Sequence, residues 1–482
     1  MYIGVDLGST NLKVALYDAQ LSCVAQKSAP VEYIRQGEFI EFDAEKYYES
    51  LLSLLRDLML DNPCKVAQIA FTGQAESLVC RDENGKPLLN AISWMDERSG
   101  AECEELEKQF SGDLCHQKTG QQAILPTWPA TKILWLQKNR REIFSKVATY
   151  MLLKDYIVYC LTGCKCADMS IATFSFYFDI YNKCYWQEML SAIGISESQL
   201  PPLAEPGAVV GTLTEEVAKA TGLSSQTKVN TGTLDHFAGM IGTGNIAPGG
   251  MTLSTGTTMV LATMTDGKPD PAWDMALHYG FLPNTYVMLP VMESGGVCLD
   301  WFRRTCMNNM DYDTLNRELL ASEETGLLFL PYLVGTNAPE FDREATGVFF
   351  GLRQEHTAAQ MAKAVMEGVC FVLRKNCEDI LSKGTKITSI VATGGGAKSP
   401  VWCQLQADIT GLPVEVPAVT EAACLGVAML AAWNEGQYET LKAAAKDVKM
   451  VRRYEPNPSE TIEKKYQKFC KLYDAALQIA RM

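Results

Sequence analysis

Apolar and polar positions alternate along MYIGVDLGSTNLKVALYDA, break at Gly8-Ser9-Thr10, and resume with Leu12, Val14 and Leu16. Residues 1–20 are therefore expected to form two strands joined by a turn. From Asp43 to about Leu60 the period lengthens to that of a helix. VAQIAFTG then reads as a strand ending on a glycine, ENGKP at 83–87 as a hairpin turn, and AISWMDER (91–98) as a strand running into charge. Helical segments are expected at roughly 97–110 and 129–147, with Pro129 suited to a helix start. TKVNTGTLDHFAGMIGTG (227–244) reads as a strand, a polar turn and a small-residue helix.

APGG at 247–250 is the best boundary in the chain. Immediately after it, LSTGTTMVLAT matches VDLGSTNLKVAL when Gly256 is laid on Gly8, a faint internal duplication. A helix from Thr357 to about Leu381 follows, then a strand (KITSIVAT), the run GGGAKS, and a helix (PVWCQLQADIT) closed by Gly411. Strand LPVEVP, helix TEAACLGVAMLAAW and a charged terminal helix at about 457–482 complete the pattern. Strands alternating with helices in both halves mean an α/β fold. At 482 residues the chain exceeds one compact core, so two domains are expected, 1–245 and 246–482.

Composition narrows the function. A formal net charge of −14 argues against nucleic acid or a basic membrane surface as partner, but leaves room for an anionic ligand held by backbone amides. The N-terminus lacks a basic region, and no apolar run is long enough to span a membrane, so a cytoplasmic protein is expected. Sixteen cysteines accompany only four histidines. Cys164 and Cys166 have no second pair at zinc-like spacing, and reduced, buried thiols are the expected state.

Three pieces suit phosphate. DLGSTN (6–11) and STGTT (254–258) each offer backbone amides and hydroxyls. TGGGAKSPVW (393–402) places glycines between a strand and a helix, where a ligand can approach the backbone closely. GGGAKS is not a P-loop, because Ala397 precedes Lys398 and the spacing fails. GTGNIA (242–247) matches the dinucleotide fingerprint, but Pro248-Gly249-Gly250 follows where a helix must continue. Asp6 aligns with Ser254, so only the first turn carries an acid, a reasonable Mg²⁺ anchor through water. Asp235, at a strand-to-helix junction, reads either as a helix N-cap or as a general base taking a proton from an attacking hydroxyl. His236 beside it is a possible contact.

Together these pieces resemble the FGGY carbohydrate kinases, within the actin/hexokinase/Hsp70-like ATPase superfamily. GVFFGLRQEHTAAQMAKAVME (347–367) follows that family's second signature up to Glu367. PATKILWLQKN (129–139) is similar to the first, with Lys132, Trp135 and Leu136 in place and Thr127 departing at its first position. The resemblance implies two RNase H-like domains with a cleft between them, the sugar mostly on the first and ATP mostly on the second. It implies Asp6 for Mg²⁺, phosphate contacts at Gly8, Ser9, Thr10 and Asn11, and a second phosphate loop at Thr255, Gly256, Thr257 and Thr258. Asp235 takes the place of the catalytic base, and Gly395, Gly396 and Ser399, with Gly296, that of the nucleoside site. Homodimers are common in the family.

For the acceptor, Gln74, Ala75 and Glu76 stand where family members place sugar contacts, with Trp94, Asp235 and His236 as further candidates. Xylulokinases carry Gln-Met-His-Gly at the first of these places and glycerol kinases Arg-Glu; this chain has Gln74-Ala75-Glu76-Ser77. DMSIATFSFYFDI (168–180) and AISWMDER resemble the xylulokinase branch, while PYLVGTNAPEFD (331–342) departs from the usual Gly-Glu-Arg-x-Pro. The expected order is a ketopentose such as xylulose, then a polyol such as glycerol or erythritol, then gluconate, since a carboxylate in the pocket opposes a sugar acid. An actin- or Hsp70-like ATPase module and a non-catalytic sugar-binding regulator are the rivals from other classes.

Overall fold

The computed structural model describes residues 1–419 and 421–482. The chain forms two compact units, each discontinuous in sequence. The first gathers 1–246, 267–287 and 421–447; the second gathers 247–266, 288–419 and 448–482. The expected break falls at 245/246; the first segment of unit one ends at Ile246, and two later segments, 267–287 and 421–447, also belong to that unit.

A six-stranded sheet organises unit one, in the order Val209–Thr212, Lys228–Asn230, Gln68–Gly73, Tyr2–Leu7, Asn11–Tyr17, Cys23–Pro30. Tyr2–Leu7 is parallel to Gln68–Gly73 and antiparallel to Asn11–Tyr17. Strand alternation sorts its residues. Ile3, Val5 and Leu7 enter a core shared with Leu51, Leu55 and Leu58 of the helix Ala44–Asp61, whose N-cap Asp43 accepts from the amides of Glu45 and Lys46. Gly4 points the other way, against the helix Ala422–Asn434, where a Cβ would stand 2.1 Å from the Cys424 carbonyl oxygen. Asp6, two residues on, shares the face of Gly4.

The helices Asp235–Gly242 and Ala422–Asn434 meet backbone to backbone. A Cβ on Gly426 would lie 1.9 Å from the Ala238 carbonyl oxygen, and one on Gly242 1.9 Å from that of Ala422. Only glycine allows this approach, so the two helices are fixed against one another where the second carries the chain back into unit one.

Unit two repeats the central motif. The hairpin Gly249–Thr255/Met259–Met264 lies parallel to Ile387–Gly394, which pairs with Val414–Pro417 and then, antiparallel, with Met450–Tyr454. Matched positions agree: Leu7 pairs with Gly73 in unit one, and Thr255 with Gly394 in unit two. The second turn is one residue shorter, since Asp6 faces Lys13 while Ser254 faces Val260. Behind the sheet, Thr357 and Gln360 form a capping box on the helix Ala358–Ser382. On that helix Glu367 is buried and ion-paired with Lys465 of the terminal helix Glu460–Ala480, so the last residue of the second signature holds two helices together.

The expected elements recur with shifted ends. The 97–110 segment forms a helix only from Gly100 to Gln109, the 129–147 segment splits into Pro129–Asn139 and Arg141–Phe144, and AISWMDER contributes only Ala91–Ile92 as strand. In the last case Asp96 is buried under Arg98 and accepts from the Ile40 amide at 2.6 Å, which turns the chain out of the ladder. All sixteen cysteines are free. Among the described residues no helix is long and apolar enough to cross a membrane. Gly426→Ala is expected to lower stability by about 1–3 kcal/mol through overpacking, read as the urea midpoint; an unchanged midpoint would contradict the close helix contact.

Candidate active site

In unit one the candidate residues converge on the C-terminal ends of the parallel pair. Gly73 closes its strand against Leu7, where a Cβ would come within 2.6 Å of both the Cβ and the carbonyl oxygen of Leu7. The chain therefore leaves the sheet beside the Gly8–Asn11 turn. Gln74 Nε2 donates to the Gly8 carbonyl at 3.3 Å and Tyr47 Oη to the same oxygen at 3.0 Å, so the turn is gripped by its oxygen rather than by its amides. Ser77 Oγ donates to Gln74 Oε1 at 2.7 Å and accepts from the Trp94 amide at 3.1 Å, tying the 74–77 loop to the half-exposed Trp94.

Glu76 adopts φ 64°, a left-handed conformation that non-glycine residues rarely hold outside constrained sites. Beneath it, buried Lys132 donates to the carbonyls of Ser93 at 2.8 Å and Glu76 at 3.4 Å. The Thr127 side chain favours the charged form of the Glu76 carboxylate. The position that breaks the first signature therefore bears directly on the loop. Burial raises Glu76 above the usual carboxylate range, opposed by Lys132 and Thr127 and reinforced by Asp235; burial lowers Lys132.

Asp235 is the first residue of its helix, with Leu234 in the cap position and no side-chain cap bond, so the N-cap reading is displaced by one residue. Its Oδ1 accepts from the His236 amide at 2.6 Å. Asp6 is lifted to about 7 by burial first and by the Asp235 carboxylate second, with Lys13 offsetting part of the rise. Lys13 is the cross-strand partner of Asp6 and is ion-paired with Glu421 at 2.6 Å. Sequence reasoning passed over Lys13, although strand register alone puts it opposite Asp6. It also missed buried His278, whose Nδ1 lies 3.3 Å from Gln121 Nε2 and whose ring stacks on Phe174 at 4.4 Å. Burial, then His236, lowers His278 to about 3, which keeps it neutral.

Unit two holds a cavity of about 680 Å³ lined by Thr255, Gly256, Thr257, Gly296, Gly395, Gly396 and Ser399, with Asn316, Tyr312 and Arg304 among its other walls. Thr258 lies outside the lining. Here too the turn is held by oxygen: Gly296 N donates to the Gly256 carbonyl at 2.8 Å and Val297 N to that of Thr257 at 3.0 Å. A Cβ on Gly296 would stand 2.4 Å from the Gly256 oxygen. Ser399 caps the helix Pro400–Thr410 and bonds Asn316 Oδ1 at 2.6 Å, so its hydroxyl has structural partners. The Thr255 hydroxyl is buried at the cavity with no partner among the described residues. Among those residues no cluster of three His, Cys, Asp or Glu could cage a metal. The arrangement offers an acidic, strained loop in unit one and, in unit two, a cavity with four glycines and charges of both signs in its walls.

Models of the FGGY family of carbohydrate kinases match this chain over residues 1–242 for the N-terminal domain and 251–435 for the C-terminal domain. A xylulose kinase of Staphylococcus epidermidis is 30% identical, over 98% of this chain and 95% of its own. The crystal structure of a ligand-bound xylulose kinase from Lactobacillus acidophilus superposes with a TM-score of 0.91 at 27% identity, covering 100% of this chain and 97% of that one. A gluconate kinase from Lactobacillus acidophilus gives 0.90 at 28% identity with the same coverage.

The raised Asp6 carries a sign. Its folded form holds a proton more tightly than the unfolded chain, so its contribution favours folding at low pH and is lost as pH rises from about 4 towards about 7. Asp6→Asn in the ligand-free protein should therefore gain stability relative to the parent, and gain more at pH 8 than at pH 5. Denaturation midpoints at the two pH values check this; an equal or reversed difference would contradict the burial of that carboxylate.

Proposed function

Because this chain belongs to the FGGY family of carbohydrate kinases, we propose that it transfers the γ-phosphoryl group of ATP to a hydroxyl of a ketopentose such as xylulose. The observation that carries the acceptor reading is the pair of carboxylates, Glu76 and Asp235, near one another in unit one, where burial first and Asp235 second disfavour the charge of Glu76. Two carboxylates there can accept hydrogen bonds from the hydroxyls of a neutral sugar, whereas an aldonate would bring a third negative charge into a desolvated site. The likeness to xylulose kinases supports the same order of preference.

In this reading Asp235 takes the proton of the attacking hydroxyl. The hydroxyl oxygen forms the new bond to the γ-phosphorus as the bond to the bridging β,γ-oxygen breaks, and ADP leaves with the electron pair. Gln74, Ala75, Glu76, Trp94 and His236 contact the acceptor, with Lys132 and Thr127 fixing the Glu76 loop beneath it. Gly8, Ser9, Thr10 and Asn11 serve phosphate on unit one; Thr255, Gly256, Thr257 and Thr258 serve it on unit two. The nucleoside enters the glycine-walled cavity at Gly296, Gly395, Gly396 and Ser399.

Asp6 fits a Mg²⁺ ligand: its oxygens are hard donors, and its neighbour Asp235 disfavours its charge in the absence of a cation. The lack of a three-ligand cage among the described residues suits an ion that keeps most of its water and takes phosphate oxygens. Bound there, Mg²⁺ would neutralise charge on the phosphoryl oxygens. The free thiols support a reducing compartment such as the cytoplasm.

Asp235→Asn is expected to lower kcat by about a hundredfold or more while leaving the Kd for ATP within about twofold, measured by coupled ADP release and calorimetry. Retained turnover would remove the base assignment. Across D-xylulose, glycerol and gluconate, the parent enzyme should show its highest kcat/KM with D-xylulose. A preference for gluconate would overturn the acceptor reading but leave the kinase reading standing.

A further inference from the structure

Behind Asp235 lies a group of polar side chains that the mechanism above does not use. Lys154, in the helix Leu153–Thr162, and Asp168 are both fully buried and ion-paired at 2.8 Å. Taking two charges out of water costs several kcal/mol per ion, so such a pair adds little net stability and needs a full set of hydrogen bonds to persist. Those bonds lead in one direction. Lys154 Nζ also donates to the Thr231 carbonyl. Asp168 accepts from the Ser170 amide and from Ser170 Oγ, each at 2.9 Å. Ser170 Oγ in turn meets Thr233 Oγ1 at 2.9 Å and accepts from the Leu234 amide at 3.2 Å.

Proton counting fixes the direction of each bond. A carboxylate only accepts, so the single Ser170 proton is committed to Asp168. Ser170 Oγ is left with two acceptor sites, which the Thr233 hydroxyl and the Leu234 amide fill as donors. The other side of the same segment is held as firmly. Gly232 sits at φ 64°, where a Cβ would come within 1.4 Å of the Phe71 carbonyl oxygen, and the Thr233 amide donates to that oxygen at 3.1 Å. Residues 231–234 are thus clamped between the Gln68–Gly73 strand and the Lys154–Asp168–Ser170 chain, and the next residue is Asp235.

We propose that Lys154, Asp168 and Ser170 are positioning residues for Asp235, fixing the backbone that presents its carboxylate to the acceptor hydroxyl. This rests on Asp235 being the base. The clamp acts on the alignment of the base and not on the acceptor or nucleotide contacts, so its loss should appear in kcat and not in KM. Misplacing a catalytic group by a fraction of an ångström to an ångström is worth about tenfold to a hundredfold in rate.

The test uses Ser170→Ala, which removes the clamp's hydrogen bonds to Asp168, Thr233 and the Leu234 amide, and Thr233→Val, which removes only the one to Ser170; both leave the buried ion pair intact. Both are assayed with ATP and whichever of D-xylulose, glycerol or gluconate the parent turns over fastest, beside Asp235→Asn. The expected result is a kcat lowered about tenfold in each variant, with KM for both substrates and Kd for ATP within about twofold. A purely structural role would lower the melting temperature and leave kcat within about twofold, and that result in the folded variants overturns the inference. If Asp235→Asn is inactive while both clamp variants run at full speed, the positioning role alone fails. If Asp235→Asn remains active, the base assignment fails and the positioning role with it.

Discussion

Two glycines at the ends of two parallel strands set the distances on which the candidate site depends. Gly73 lies against Leu7 and Gly394 against Thr255, each so close that a Cβ would be about 2.6 Å from the neighbouring strand's backbone. At these points the sheets open, since the first strand of each hairpin turns back on one side while its parallel neighbour runs off on the other. Ligands of open α/β sheets bind at such carboxyl ends, where the connections diverge. In unit one the diverging chain is Gln74-Ala75-Glu76; in unit two it is Gly395-Gly396. One backbone device thus recurs in both units, and the difference lies in the side chains that follow the glycine.

That difference is mainly one of charge. In unit one Asp235 disfavours the charge of both Asp6 and Glu76, which Lys13 and Lys132 respectively offset. Unit two puts Ser254 where unit one has Asp6, and its cavity walls mix glycines and threonines with the two cations Arg304 and Lys398 and the two acids Asp300 and Asp313. Crowded acids favour neutral hydroxyls as ligands; glycines admit a charged ligand close to the backbone. The turns share one more constraint: in both, the carbonyl of the matched glycine is tied from outside, at Gly8 by Tyr47 and Gln74 and at Gly256 by the Gly296 amide.

Much of this was legible in the sequence because it is local. Period-two alternation around Gly8 and Gly256 located both hairpins, and the glycine ending VAQIAFTG marked the strand end that the site requires. Side chains that act across long sequence distances were not legible. Lys132 reaches the carbonyls of Ser93 and Glu76, and Lys154 reaches Thr231, through packing that no local pattern records. Segments 267–287 and 421–447 return to unit one for the same reason, since the glycine contact of Gly242 with Ala422 joins residues far apart in the chain. Thr127 was visible as a mismatch, but its partner Glu76 was not. Ser399 and Glu367 fit their motifs and prove to have structural partners, Asn316 and Lys465.

If the acidic end of the unit-one sheet accepts the sugar as proposed, a sugar hydroxyl, and not water, receives the phosphoryl group. Phosphorus NMR of the protein incubated with Mg²⁺, ATP and D-xylulose tests this directly. A sugar phosphomonoester resonance is expected to grow mole for mole with ADP and to be absent when the sugar is omitted. Release of inorganic phosphate at the same rate with and without the sugar would contradict it.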